Sequence, residues 1–330
     1  MYAMVLDRLD DDMQIRPADV PLPVLAADDV LVRMAYASVN PADWKLCSGW
    51  MQRFEDFRPG RPFIPGFDGA GMIEQAPESS GFGRGDRVFV RAKQMIGRDG
   101  TFAEFTGVDL EGVAKVPDGL GLPAAATVGT AGLTAWQCVG PRGADLRPGQ
   151  TLFVQGGSGG TGSFAVQFAK ELGARVAASC STANVSYLQG LGVDLAVDYR
   201  QGDAAERLRA WAPQGVDAFI DLFNLGSSGD PLALLKPGGV FVGVETLDAS
   251  ARTRAAQDGA ARGVRVTQLV ASRPDGPADM PRIGALMASG RVKAPQLEIL
   301  PLDRAGEALR RLRSGHTRGK ILLAIDKSLA

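Results

Sequence analysis

Thr151-Leu152-Phe153-Val154-Gln155-Gly156-Gly157-Ser158-Gly159-Gly160-Thr161-Gly162-Ser163-Phe164 runs from a short apolar segment straight into a glycine-rich turn. Gly157, Gly159 and Gly162 match the spacing G-x-G-x-x-G. With 42 glycines in 330 residues that match alone is weak, so its context decides. Thr151–Gln155 reads as a buried strand. Thr161–Leu172 then sets Phe164, Ala165, Phe168, Ala169 and Leu172 on one helical face, with Gln167, Lys170 and Glu171 opposite, and Gly173 ends the helix. In that setting glycines permit a tight turn, and backbone N–H groups at the positive helix end can approach a pyrophosphate. Gly157, Ser158, Gly159, Gly160, Thr161 and Gly162 are therefore the candidate phosphate contacts. The bland alternative is a plain glycine-rich βα turn.

Outward from this loop the alternation continues. Strand-like runs follow at Arg175–Ser179, Leu195–Tyr199, Val216–Phe223, Val240–Glu245 and Val264–Val270. With Thr151–Gln155 they make six, five of which carry two or more β-branched or aromatic residues, as strands covered on both faces often do. The expectation is an α/β fold with a doubly wound parallel sheet. Before about Pro123 the texture differs: Val30–Met34 and Arg87–Val90 are short β-like runs between Gly, Pro and Asp turns. After about Gly276 the rhythm lapses, leaving an amphipathic helix at Ala305–Leu312 and a strand at Lys320–Ile325.

Composition narrows the function. Lys+Arg 36 against Asp+Glu 37 gives a net charge of −1, which asks for neither nucleic acid nor an anionic membrane. Cys47, Cys138 and Cys180 are odd in number and unpaired by spacing, which favours a reducing, cytoplasmic setting over a disulfide framework. His316 is the lone imidazole and no G-x-S-x-G elbow accompanies it, so a Ser-His-Asp relay is a poor fit. The amino terminus is acidic where a signal peptide is basic. The uncharged stretch from Gly119 to Pro141 is interrupted by Gly, Thr and Pro and reads as a buried helix or turn.

A cofactor with a free ribose 2′-OH usually meets Asp or Glu where the second strand ends. Here that end is Ser179-Cys180-Ser181, with no carboxylate until Asp194. Cys180 and Ser181 leave room for a 2′-phosphate, while Tyr199 and Arg200 could supply a donor and a charge. Arg200 is equally readable as a solvated surface residue.

Several further segments carry a resemblance: Ser38-Val39-Asn40-Pro41-Ala42-Asp43-Trp44-Lys45, Pro65-Gly66-Phe67-Asp68-Gly69-Ala70-Gly71, Gly85-Asp86-Arg87-Val88, Gly129-Thr130-Ala131-Gly132-Leu133-Thr134-Ala135 and Arg318-Gly319-Lys320-Ile321. With the phosphate loop, in this order, the chain resembles the zinc-independent quinone oxidoreductase-like branch of the medium-chain dehydrogenase/reductase superfamily. The resemblance implies a GroES-like β-rich catalytic domain (residues 1–122 and 276–330) with a Rossmann dinucleotide-binding domain inserted (residues 123–275). It also implies an active site in the cleft between the domains and, with an apolar strand expected at the sheet edge, a homodimer joined by edge strands near Val264–Val270. The second-strand end makes NADPH, rather than NADH, the expected cofactor. Zinc alcohol dehydrogenases of the superfamily carry Cys, His and Cys where this chain has Asn40, Phe67 and Thr130. None of these supplies thiolate or imidazole, so no metal is expected.

Without a zinc ion to polarise a carbonyl, a quinone or α,β-unsaturated carbonyl is the fitting substrate, because its developing charge is delocalised. Asn40 is the candidate amide that orients nicotinamide or substrate. Lys45 is either a cation near the developing oxyanion or a solvated loop lysine. Thr130, Thr134 and Lys320 are further candidate cofactor contacts, Asp43 a brace for its loop, and Cys47 inert. His316 sits beside the cofactor-bordering segment in a supporting role. A non-catalytic NADPH-binding protein, redox sensor or crystallin-like, is the alternative function.

Overall fold

The computed structural model describes residues 1–50, 62–92, 98–223, 230–244, 249–269 and 277–329. The chain forms two compact units. One comprises Met1–Ala131, Pro274–Gly290 and Gln296–Ala330, the other Gly132–Arg273 and Arg291–Pro295. The first unit holds strands β1 (Tyr2–Leu6), β2 (Ile15–Asp19), β3 (Asp29–Val39), β4 (Asp68–Gln75), β5 (Arg87–Arg91), β6 (Phe105–Asp109) and β7 (Val113–Lys115). The second holds β8 (Thr151–Gln155), β9 (Arg175–Cys180), β10 (Leu195–Asp198), β11 (Val216–Asp221), β12 (Leu235–Gly243) and β13 (Arg265–Gln268), after which the chain returns through β14 (Leu297–Pro301) and β15 (Lys320–Ala324) to the first.

In the first unit β14-β15-β3-β4-β5-β7 form one sheet, with β6 also paired to β3 and β1-β2 a separate antiparallel pair. The registers matter for chemistry. Ser38 lies opposite Asp68, Asp68 opposite Arg91, and Val39 opposite Ile321. The residues that start or finish four strands are thereby gathered at one end of the sheet. Below them a core of Met4, Leu6, Leu46, Phe63, Phe67, Phe102, Leu309 and Ile321 excludes water, and burying a side chain of that size contributes about 1.5–3 kcal/mol.

The second unit is a six-stranded, all-parallel sheet in the order β10-β9-β8-β11-β12-β13. This is the doubly wound parallel sheet expected from the sequence, and the reversal of its order beside β8 places a crevice at the carboxyl ends of the strands. Phe153, Phe219 and Phe241 pack across β8, β11 and β12, Phe153 edge-on to Phe219 and Phe219 stacked on Phe241, with ring centroids 4.9 and 5.6 Å apart.

Some readings need correcting. Gln167 is buried, because its side chain donates to Lys293 O (3.0 Å) and accepts from Lys293 N (2.8 Å). The rhythm does not end at Gly276 either: a helix at Met280–Ala288 and β14 follow, β14 pairing parallel to β15. Strand β12 begins at Leu235, earlier than expected, while Glu245 and Val270 lie outside the described residues. The uncharged stretch forms short helices at Leu122–Ala125 and Leu133–Val139 around a π-turn at Val128–Gly132. Among the described residues no helix is long and apolar enough to cross a membrane.

Candidate functional site

The glycine loop has the tight geometry its sequence requires. β8 stops at Gln155 and a helix spans Gly160–Glu171. Gly156 turns the chain at φ +86°, a conformation that favours glycine, and a Cβ there would strike the Phe223 ring at 2.3 Å. A Cβ at Gly162 would sit 2.2 Å from Gly156 O, and one at Gly157 would sit 2.6 Å from Ala178 Cβ. Close passage of helix, turn and β9 is thus possible only without side chains. Gly156 N donates to Ser179 Oγ (3.1 Å) and Gly157 N to Ser179 O (3.0 Å), fastening the loop to the second strand. The first-turn N–H groups of the helix lack intrahelical acceptors and carry its positive dipole end. This cradle fits a pyrophosphate.

Ser158 and Ser181 are brought together here. Asn184 Nδ2 donates to Ser158 Oγ (3.3 Å) and Ser181 Oγ (3.2 Å). Cys180 is buried, and desolvation, with the charge of Asp198 adding, pushes its thiol up to about 11. Tyr199 and Arg200 are both exposed just beyond β10. Sequence reading missed Asp198. It pairs with Cys180 across the β10–β9 ladder and puts a carboxylate beside the second-strand end after all. Burial pushes its carboxyl up, but hydrogen bonds from the Thr182 side chain and the Arg200 backbone, with the charges of Arg207 and Arg200, bring it below the ordinary value. Thr134 is buried in the helix Leu133–Val139.

In the first unit the candidate residues form a buried charged network. Asn40 caps the helix Pro41–Cys47, and its backbone N–H donates to Asp43 Oδ2 (2.6 Å). Its Nδ2 donates to Asp68 Oδ1 (2.6 Å) and Ser38 O (3.3 Å), and its Oδ1 accepts from Lys320 Nζ (2.6 Å). Carboxylates on one side and an ammonium on the other fix which way the amide points. Lys320 Nζ also donates to Val39 O (2.9 Å), and Asp68 Oδ2 accepts from Thr130 N (2.6 Å). Asp43 Oδ1 accepts from Phe67 N (3.0 Å), and Arg91 Nη1 donates to Gly129 O (3.3 Å). Asn40, Asp43, Asp68 and Lys320 are all at least 96% buried, and Arg91 is nearly so. Burial pushes the carboxyls of both Asp43 and Asp68 up, that of Asp43 to about 7 with the neighbouring Asp68 charge adding; burial likewise pulls Lys320 and Arg91 down.

Lys45 lies over the faces of Trp44 and Trp50, 5.7 and 5.0 Å from their centroids. Cys47 is buried, and desolvation lifts its thiol well above the ordinary range, which suits an inert role. His316 is exposed and lines a cavity of about 310 Å³ with Glu298, Arg311 and Arg318. Asp68 and Arg91 were missed as partners. Each is a buried charge at the end of a strand, Asp68 opening β4 and Arg91 closing β5, and their strands set them opposite one another.

A profile described as alcohol dehydrogenase GroES-like domain matches residues 26–118, and one described as zinc-binding dehydrogenase matches residues 191–323. A trans-enoyl reductase of Aspergillus terreus is 31% identical over 327 residues, covering 92% of this chain and 88% of the relative. The chain belongs to the medium-chain dehydrogenase/reductase superfamily. This medium-chain dehydrogenase/reductase is an oxidoreductase, as its named relatives are. A chloroplast envelope quinone oxidoreductase homolog of Arabidopsis thaliana is 29% identical, covering 92% of each chain. The solved quinone oxidoreductase of Coxiella burnetii superposes with a TM-score of 0.87 at 25% identity, covering 99% of both chains.

The zinc in one profile's description meets a donor set that does not suit it. Asn40 is spent in hydrogen bonds, the Phe67 ring packs into the apolar core, and Thr130 is held through its backbone N–H. Neither amide, phenyl ring nor alcohol replaces the Cys and His ligands of a tetrahedral zinc site.

Proposed function

We propose that this oxidoreductase transfers hydride from NADPH to a conjugated enone or a quinone, without zinc. The observation that carries the reading is the donor set at positions 40, 67 and 130, which leaves no metal electrophile. Such an acceptor spreads the charge that hydride addition creates, so oriented donors and a nearby cation suffice. The relatives named trans-enoyl reductase and quinone oxidoreductase homolog support that acceptor class.

When bound, the nicotinamide supplies the hydride. Gly157, Ser158, Gly159, Gly160, Thr161 and Gly162 would hold its pyrophosphate, and Cys180, Ser181, Tyr199 and Arg200 the adenosine end. Thr130 and Thr134 are assigned to the nicotinamide half. Asn40 offers a ligand only the second lone pair of Oδ1, since its other polar atoms are engaged, and Lys320 serves through Asn40. Lys45, held on indole faces, is assigned to the oxyanion. Residues 1–122 and 276–330 act as the catalytic domain and residues 123–275 as the cofactor domain.

The deciding experiment is turnover of purified protein with NADPH and a panel of quinones, enones and primary alcohols, with and without chelator. Reduction of an enone or quinone that survives chelation is expected. Ethanol oxidation, or activity lost with bound zinc, would overturn the reading. Tight NADPH binding with no turnover would favour the redox-sensor alternative.

A further inference from the structure

Positions 40, 67 and 130 share one property. Each is hydrogen-bonded to one of two buried carboxylates: Asn40 to Asp68 through its side chain and to Asp43 through its backbone, Phe67 to Asp43, Thr130 to Asp68. Two buried cations balance them, Lys320 acting on both carboxylates and Arg91 on Asp68, and Lys320 closes the ring on the amide oxygen of Asn40. Three separate stretches of chain, which a tetrahedral metal would tie together if they bore ligands, are instead tied by hydrogen bonds. We propose that Asp43, Asp68 and Lys320 are positioning residues that lock positions 40, 67 and 130 against one another, the task a bound metal performs where those positions are ligands.

The physics favours a lock over an ordinary ion pair. Ion pairs on a surface are loose and screened, whereas buried charges must keep geometry, partners and balance together. Asp68 bridges a side chain and a backbone N–H with separate oxygens, at 2.6 Å each. Asn at position 68 could accept from only one of those donors and would turn its own N–H against the other. Met at position 320 would leave Asp68 with Arg91, take from Asp43 the cation it shares with Asp68, and leave Asn40 Oδ1 without its Lys320 donor.

The catalytic consequence rests on the proposed function; the lock itself does not. The test is a thermal-melting cycle on full-length protein with Asp68→Asn, Lys320→Met and the double variant, followed by steady-state kinetics. Lys320→Met should melt well below wild type, and the double variant above Lys320→Met alone, because charge balance returns. In Asp68→Asn, kcat with the preferred acceptor should fall about tenfold or more, and by a larger factor than KM for NADPH rises, since Asn40 and Thr130 lose their anchor while the phosphate loop is not touched. Asp68→Glu, which keeps both acceptors, should recover part of kcat. Additive melting losses, or wild-type kcat in Asp68→Asn, overturn the proposal. If Lys320→Met gives no folded protein, recovery of fold in the double variant supports the lock and its absence overturns it. Should wild type reduce no acceptor, the melting cycle still decides the lock, and only the proposed reaction falls.

Discussion

Asp198 changes how the adenosine end of the cofactor crevice is argued. The second strand itself ends without a carboxylate, which suits a 2′-phosphate, but Asp198 stands one ladder step away and stays ionised. Tyr199 and Arg200 are exposed and adjacent, so under the proposed reading a hydroxyl and a full charge would compete with that carboxylate for a bound ribose. One charge-assisted bond contributes roughly 1.5–3 kcal/mol, so we expect NADPH to be preferred over NADH by about tenfold or more in kcat/KM. Tyr199→Phe with Arg200→Ala should erase most of that preference, and Asp198→Asn should enlarge it. Equal use of both cofactors by wild type would sink this assignment. Asp43 yields a second residue-scale expectation. Its folded carboxyl titrates near pH 7 because burial, and then Asp68, disfavour the anion. A raised carboxyl means the folded state binds the proton more tightly than the unfolded chain does. Its contribution to stability is therefore lost as pH rises from about 4 to about 7. Asp43→Asn leaves a backbone N–H at Asn40 or Phe67 without its acceptor and should melt lower at every pH. The gap to wild type should narrow between pH 5 and 7.5; parallel melting curves would show that Asp43 does not titrate there.

At the scale of elements, the phosphate loop was legible because its constraints are local. β8 has the bounds read from the sequence, and the following helix differs by one residue at each end. Even here Gly156 was missed, since its need for glycine comes from a positive φ and from Phe223 above it. Gln167 was placed with the solvent-facing residues because helical periodicity cannot see Lys293, a partner far along the chain. The helix at Met280–Ala288 was missed because it is short and lies outside the βα alternation, although its Met280, Ile283 and Met287 are buried. The charged network was illegible for the same reason as Gln167. Asn40, Asp68, Arg91 and Lys320 meet only because sheet registers bring four strand ends together. The loop's geometry also makes a prediction. Gly162→Ala puts a Cβ 2.2 Å from Gly156 O, and backbone must move to admit it. NADPH affinity should fall at least about tenfold by fluorescence titration. Gly159→Ala, whose nearest neighbour would be 3.6 Å away, should melt like wild type. Similar NADPH affinity in Gly162→Ala and wild type would mean the loop does not hold the cofactor.

For the whole molecule the open question is what covers the edge of the second unit's sheet. The strand order ends at β13, whose only partner within the described residues is β12. Val266 packs toward the second unit's core, so its inner face is satisfied. The outer backbone edge is a different matter. Unpaired N–H and C=O groups in a row form a template for another strand, and proteins usually protect such an edge or use it. Arg265 is exposed, but Val266, Thr267 and Gln268 carry no charge to discourage pairing. A second copy meeting β13 across a two-fold axis would satisfy both edges at once, with the same strand on each side. We therefore expect a homodimer at micromolar concentration in solution scattering or sedimentation. Thr267→Lys should shift it toward monomer, because a two-fold axis sets the new ammonium near its own copy. Melting of the monomer should stay close to wild type if the substitution acts only at the interface. A wild-type monomer across the accessible concentration range would remove β13 as an interface, as would a Thr267→Lys variant that dimerises with unchanged affinity.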